Sequence, residues 1–168
     1  MQRDFKLELK SLDQQGIFEG FCAVYGNVDL QGDVILPGSF TKTFSDRGGE
    51  VPILWQHDLT EPIGLGKLTD TSAGLAIRGE LAIDSSPVAQ KAYGLLKRGI
   101  VKGLSVGFDS VKAKMLNGVR HLSEVRLWEV SLVTLGANPA AIITGVKSAE
   151  ADQVIRFRRV LQECSKQF

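Results

Sequence analysis

Apolar and polar side chains alternate in Phe5-Lys6-Leu7-Glu8-Leu9-Lys10, and an apolar, strand-like run over residues 17–25 follows the turn formers Asp13 to Gly16. A strand sends successive side chains to opposite faces, so these segments predict an opening antiparallel pair. The turn-rich residues 27–33 predict a loop. Ser39 stands where it would cap a short helix over 40–47, with Gly48-Gly49 as its stop. Residues 51–56 read as a strand that tolerates Pro52 near its start or at an edge, and His57-Asp58 lies at its exit. Residues 64–68 and 75–83 predict a hairpin around the polar turn 69–74, with Gly79 interrupting the second strand's row of side chains.

The clearest helix starts at Ser86. Pro87 occupies the first helical position, where its missing N–H costs nothing; Val88, Ala92, Leu95 and Leu96 share a face, and Lys97 and Arg98 suit the negative end before Gly99. Residues 104–115 and 119–135 predict two long strands around Leu116-Asn117-Gly118. The second exceeds an ordinary strand and should contain a bulge or bend. Asn138-Pro139 is a turn, and residues 142–146 a short last strand. From Ala149 the period changes: Val154, Phe157, Val160, Leu161, Cys164 and Phe168 recur at helical spacing opposite Arg156, Arg158, Arg159 and Glu163. The expected organisation is one domain over residues 1–147, mainly β and mostly antiparallel, with peripheral helices. An amphipathic helix over 148–168 follows, docked on that domain or at a dimer interface.

Composition narrows the function classes. The 168 residues are 43% hydrophobic, enough for one sizeable core, and 20 Lys plus Arg against 19 Asp plus Glu leave a formal charge of +1. That balance disfavours a nucleic-acid-binding surface. The alternating amino terminus resembles no signal peptide, and no apolar run approaches bilayer length, so a soluble, intracellular protein without a membrane partner is expected. Cys22 and Cys164 form no CxxC and should be reduced thiols; His57 and His121 belong to no metal-binding pattern, so neither metal nor cofactor is expected.

Three residues carry candidate chemistry. A hydroxyl is a poor nucleophile until a base takes its proton, and the base needs a third group to orient its ring. His57, between a hydrophobic strand and a polar turn, can present an imidazole at a cleft. Ser105 lies in Gly103-Leu104-Ser105-Val106-Gly107-Phe108, whose glycines allow close approach and leave room for an oxyanion to face backbone N–H groups. Glu129, in the largely apolar segment 126–133, needs a partner, and a histidine N–H would serve. Each residue also has an ordinary reading: a strand serine, a surface histidine, and a glutamate paired with Arg120 or Arg126. The pattern is not a GxSxG elbow, which disfavours an α/β-hydrolase.

Four stretches, taken in order, resemble the tailed-phage prohead protease family of the HK97 type, itself related in fold to the herpesvirus capsid-assembly proteases. They are Asp33-Val34-Ile35-Leu36-Pro37-Gly38-Ser39-Phe40; Leu54-Trp55-Gln56-His57-Asp58 with Pro62-Ile63-Gly64; Leu104-Ser105-Val106-Gly107-Phe108; and Glu129-Val130-Ser131-Leu132-Val133 with Ala137-Asn138-Pro139-Ala140. The resemblance implies a herpesvirus-protease-like β-barrel, Ser105 as nucleophile, His57 as general base and acid, and Glu129 orienting the histidine. His121 is the alternative third member, because the herpesvirus enzymes use a second histidine there. It also implies a serine endopeptidase that cleaves scaffold or capsid precursor, and itself, inside the assembling prohead in the bacterial cytoplasm, with a homodimer as its form. Arg126 is a candidate helper of the oxyanion. Gly136 departs from the proline common in the family. Two alternatives use the same residues differently: a nonenzymatic assembly or scaffold-binding domain that keeps the fold, and a general serine hydrolase.

Overall fold

The computed structural model describes residues 16–147. The expected strand at Phe5 to Lys10 and the amphipathic helix from Ala149 lie outside the described residues. In chain order the elements are β1 (Ile17–Val24), β2 (Asp33–Ile35), α1 (Thr41–Arg47), β3 (Glu50–Trp55), β4 (Asp58–Asp70) and β5 (Gly74–Leu81). Then follow α2 (Pro87–Lys97), β6 (Gly103–Leu116), β7 (Val119–Val133) and β8 (Ile143–Lys147).

The strands form one sheet in the order β2-β7-β3-β4-β5-β1-β8, with β6 also paired to β7. Consecutive strands joined by short turns pair antiparallel, as β3–β4, β4–β5 and β6–β7 do. Long connections return β2 and β3 to lie parallel to β7. The sheet is therefore mixed. Most of its pairings are antiparallel, as expected, but it curls into a half-barrel, which corrects the β-barrel expected from the sequence. The reason is visible at its edges: β2 has three residues, and a single bridge, Gly103–Ile142, joins β6 to the segment entering β8.

The core is filled by Phe18, Phe40, Ile53, Leu75, Leu104 and Leu127, all 1% exposed or less. Central β7 has partners on both sides, and residues 129–133 are buried on both faces. Helix α2 starts where expected, with Ser86 accepting from the Ala89 N–H at 3.1 Å; its buried face is Ala89, Ala92, Tyr93 and Leu96, so Val88 and Leu95 of the expected face are only half-buried. Ser39 does not cap α1, which begins after Phe40 without a side-chain cap. Its hydroxyl lies beside the Leu36 and Leu122 carbonyls, at 2.5 and 2.8 Å, fastening the chain before α1 onto β7. Gly48 ends the helix at φ 65°, the left-handed conformation that glycine adopts without a Cβ penalty.

Candidate active site

Register in the β6–β7 pair decides which side chains share a face. Ser105 is opposite Ser131 and Gly107 opposite Glu129. Directly paired residues project to the same side with Cβ positions about 5 Å apart, so Ser105, Ser131 and Glu129 stand together. Beyond Gly107 the register shifts: Phe108 pairs with Leu127, leaving Trp128 as the extra residue of a bulge. The expected irregularity in β7 thus falls immediately before Glu129.

On the other side of β7, Ile53, Leu54 and Trp55 of β3 pair in parallel with Val130, Ser131 and Leu132. The chain then reverses at once. Trp55 pairs with Asp58, so Gln56 and His57 are the two central residues of a tight hairpin turn, at φ 54° and 62°. Glycine and asparagine are the usual occupants of such positions. Here β7 supplies the compensation. The Gln56 N–H donates to the Leu132 carbonyl at 3.0 Å, the Gln56 amide meets Thr134 through its Oγ1 (2.9 Å) and N–H (3.3 Å), and the His57 N–H donates to Ser131 Oγ at 3.0 Å.

This turn sets the His57 ring against β7, with Nδ1 2.6 Å from Glu129 Oε1. The Glu129 side chain is 7% exposed and that of His57 43%, so the carboxylate lies beneath and the imidazole faces outward. A carboxylate only accepts, so in the neutral imidazole Nδ1 carries the proton and Nε2 keeps a lone pair. Ser131 donates to the other Glu129 oxygen at 2.7 Å. Ser105 is 8% exposed, and its hydroxyl has no hydrogen-bond partner among the described residues.

His57 and Ser105 line one cleft of about 620 Å³. Six consecutive β6 residues, 105–110, also line it. Side chains alternate along a strand, so what these residues share is the strand's edge. That edge has no ladder partner among the described residues. Asp29, Gln31, Arg120 and Asn138 form the polar wall. Asp33, 2% exposed, receives Arg120 Nε at 2.7 Å and a second bond from its Nη2, while Asp29 Oδ1 accepts the Gln31 and Asp33 N–H groups. The bonded, charged Asp33 raises the Arg120 pKa, so this guanidinium stays cationic. Arg120→Ala would leave the Asp33 carboxylate buried without its counterion. We expect a loss of about 2–3 kcal/mol, measurable as a lower urea midpoint at unchanged slope, with part recovered in Arg120→Ala/Asp33→Asn.

The other sequence candidates lie elsewhere. His121 pairs with Val34 and Lys114 near the opposite end of β7, eight residues or roughly 26 Å of strand from Glu129. Arg126 lies over the Trp128 ring at 5.7 Å and lines a separate depression with Lys42 and Arg47, which removes the basis for giving it the oxyanion. Cys22 reaches the cleft wall with its thiol donating to the Leu75 carbonyl, and burial pushes its pKa up to about 12. Such a thiol is inert as a nucleophile. Among the described residues no group of three His, Cys, Asp or Glu side chains could hold a metal ion, and no helix is long and apolar enough to cross a membrane. Ser131 and the Asp33–Arg120 pair escaped sequence reasoning. A serine two residues after a buried glutamate on the same strand face was the one available signal for Ser131.

The sequence model of the Caudovirus prohead serine protease family matches residues 5–156. The chain belongs to this family. It is 34% identical over 148 residues to the prohead protease of Enterobacteria phage HK97, covering 85% of this chain and 65% of that protein. It is 29% identical over 162 residues to the prohead protease of Escherichia phage T5, covering 90% and 75%. The capsid polyprotein of Pseudomonas phage PAJU2 is 33% identical over 157 residues, 88% of this chain but only 22% of the polyprotein. The chain thus spans just under two thirds of the HK97 protein. Among solved structures, KSHV protease in complex with a hexapeptide phosphonate inhibitor superposes with a TM-score of 0.53 at 17% identity, covering 89% of this chain and 76% of that one. The half-barrel of this prohead protease family member is therefore of the herpesvirus protease type.

Proposed function

We propose that the chain is a serine endopeptidase of prohead maturation, with Ser105 as nucleophile, His57 as general base and acid, and Glu129 orienting the imidazole. The observation that carries this reading is the His57 Nδ1–Glu129 Oε1 contact at 2.6 Å, on the cleft that Ser105 also lines. It leaves the Nε2 lone pair for the Ser105 proton. Attack of Ser105 Oγ on a peptide carbonyl moves that proton to Nε2 and forms the tetrahedral intermediate. Its collapse breaks the C–N bond, and Nε2 returns the proton to the leaving amine. Water then repeats the sequence on the acyl-enzyme and regenerates Ser105. The free β6 edge at residues 106–110 offers main-chain hydrogen bonds to an extended polypeptide, the geometry by which a sheet takes on a further strand.

The substrate assigned here is capsid or scaffold precursor, with cleavage of the chain itself, and the working form is a homodimer inside the assembling head. The family membership and the capsid polyprotein relative support the first part. The test is co-expression with the capsid precursor of the same phage. The native chain should yield precursor shortened at one or a few discrete sites, and should be labelled by a fluorophosphonate. A chain that binds precursor, leaves it intact and takes no label is an assembly domain instead.

A further inference from the structure

We propose that Ser131 is a positioning residue that locks His57 and Glu129 into one unit by holding both the main chain of the first and the carboxylate of the second. This rests on the reading of Ser105, His57 and Glu129 as the reacting set. Four groups close a ring: the His57 N–H donates to Ser131 Oγ (3.0 Å), Ser131 Oγ–H donates to Glu129 Oε2 (2.7 Å), and Glu129 Oε1 meets His57 Nδ1 (2.6 Å). The residue is 0% exposed. Its one proton goes to the carboxylate and one lone pair takes the amide, a division of labour that a hydroxyl can perform and a methyl cannot.

Each bond corrects a specific weakness. Glu129 is a long side chain whose carboxylate can rotate; with a donor on Oε2, only one rotation leaves Oε1 in line with Nδ1. His57 sits at φ 62° without being glycine, a backbone state that persists only when the surroundings hold it. The Ser131 hydroxyl is the acceptor for its amide. Ser131 also pairs with Leu54 in β3 and Ser105 in β6, so one residue keys the histidine turn, the carboxylate and the nucleophile strand to the same point on β7. Complete burial and the proton already committed to Glu129 distinguish its role from that of Ser105.

The experiment compares native chain, Ser131→Ala, Ser131→Cys and Ser131→Thr. It follows the rate of fluorophosphonate labelling, which needs no peptide substrate, and the far-downfield proton resonance of a ring N–H bonded to a carboxylate. Ser131→Ala should label about 10- to 100-fold more slowly and lose or shift that resonance, since a buried oxygen and a buried N–H both lose their partner. Ser131→Cys keeps the volume but donates weakly and should label slowly while remaining folded by circular dichroism. Ser131→Thr restores the hydroxyl and should recover most of the rate. Native-rate labelling of folded Ser131→Ala or Ser131→Cys, with Ser105→Ala unlabelled, overturns the positioning role and leaves the nucleophile assignment standing. Equal labelling of native chain and Ser105→Ala instead removes the assignment on which the proposal rests.

Discussion

Ser105→Ala is expected to abolish precursor cleavage, lowering turnover by about 10⁴-fold or more while leaving the fold intact. The size follows from the proposed role: without the oxygen no acyl-enzyme forms, and what persists is whatever binding and oxyanion stabilisation give to direct attack by water. In free energy this is at least about 5 kcal/mol of lost transition-state stabilisation. Stability should move little, by about 0.5 kcal/mol at most, because the hydroxyl has no hydrogen-bond partner among the described residues. That contrast makes the variant decisive. A serine held for structure would lose stability and keep activity, whereas this one should do the reverse. The double variant Ser105→Ala/His57→Ala should be no slower than Ser105→Ala, since a base without a nucleophile does nothing. Precursor cleavage by the single variant at the native rate, in a host strain where no other protease acts on it, would defeat the assignment.

What could be read from the sequence was what is local. Helix α2 announced itself through Ser86, Pro87 and a helical stripe, and the hairpins through alternation on either side of polar turns. Long-range features were another matter. Alternation shows which residues face the core but not which strand lies alongside or in which direction, so the parallel pairing of β2 and β3 with β7 had no local signal. The barrel was an expectation from the run of short strands and from the resemblance, and no periodicity could have shown that a three-residue β2 ends the sheet. Ser39 looked like a helix cap because it precedes a helix, yet its hydroxyl reaches the Leu122 carbonyl, 83 residues away. His57 and Glu129 could be picked as a base and a buried acid in want of a partner. Their contact spans 72 residues and depends on a hairpin turn of two non-glycine residues at positive φ, which composition argues against. The candidates were legible as chemistry; the device that brings them together was not.

Gly107 is where that device makes its sharpest demand, and Gly107→Ala should lower turnover by about 10³- to 10⁴-fold without replacing any member of the reacting set. No strained dihedral is involved, since Gly107 is not among the positive-φ glycines. The reason is steric. A Cβ built at Gly107 would lie 2.2 Å from Glu129 Oε1, 2.9 Å from Cδ and 3.0 Å from Cγ, and Oε1 is the oxygen that meets His57 Nδ1. Backbone on paired strands cannot retreat that far, so the carboxylate must swing away. His57 then loses the acceptor that keeps the proton on Nδ1 and the lone pair on Nε2. Loss of that orientation costs about 10⁴-fold in the serine protease triad when the acid is made neutral. Substrate binding along the β6 edge uses main-chain groups, so the fall should appear in kcat with KM changed little. Destabilisation should be about 1–3 kcal/mol, the cost of a buried carboxylate parted from its donors. The discriminating measurement is a double-mutant cycle. Once Glu129 is alanine there is no carboxylate to displace, so Gly107→Ala/Glu129→Ala should match Glu129→Ala in kcat, the complete failure of additivity expected when one residue acts through the other. Gly107→Ala with parental kcat would mean that the His57–Glu129 contact is dispensable. The glycine would then serve only the packing of β6 on β7.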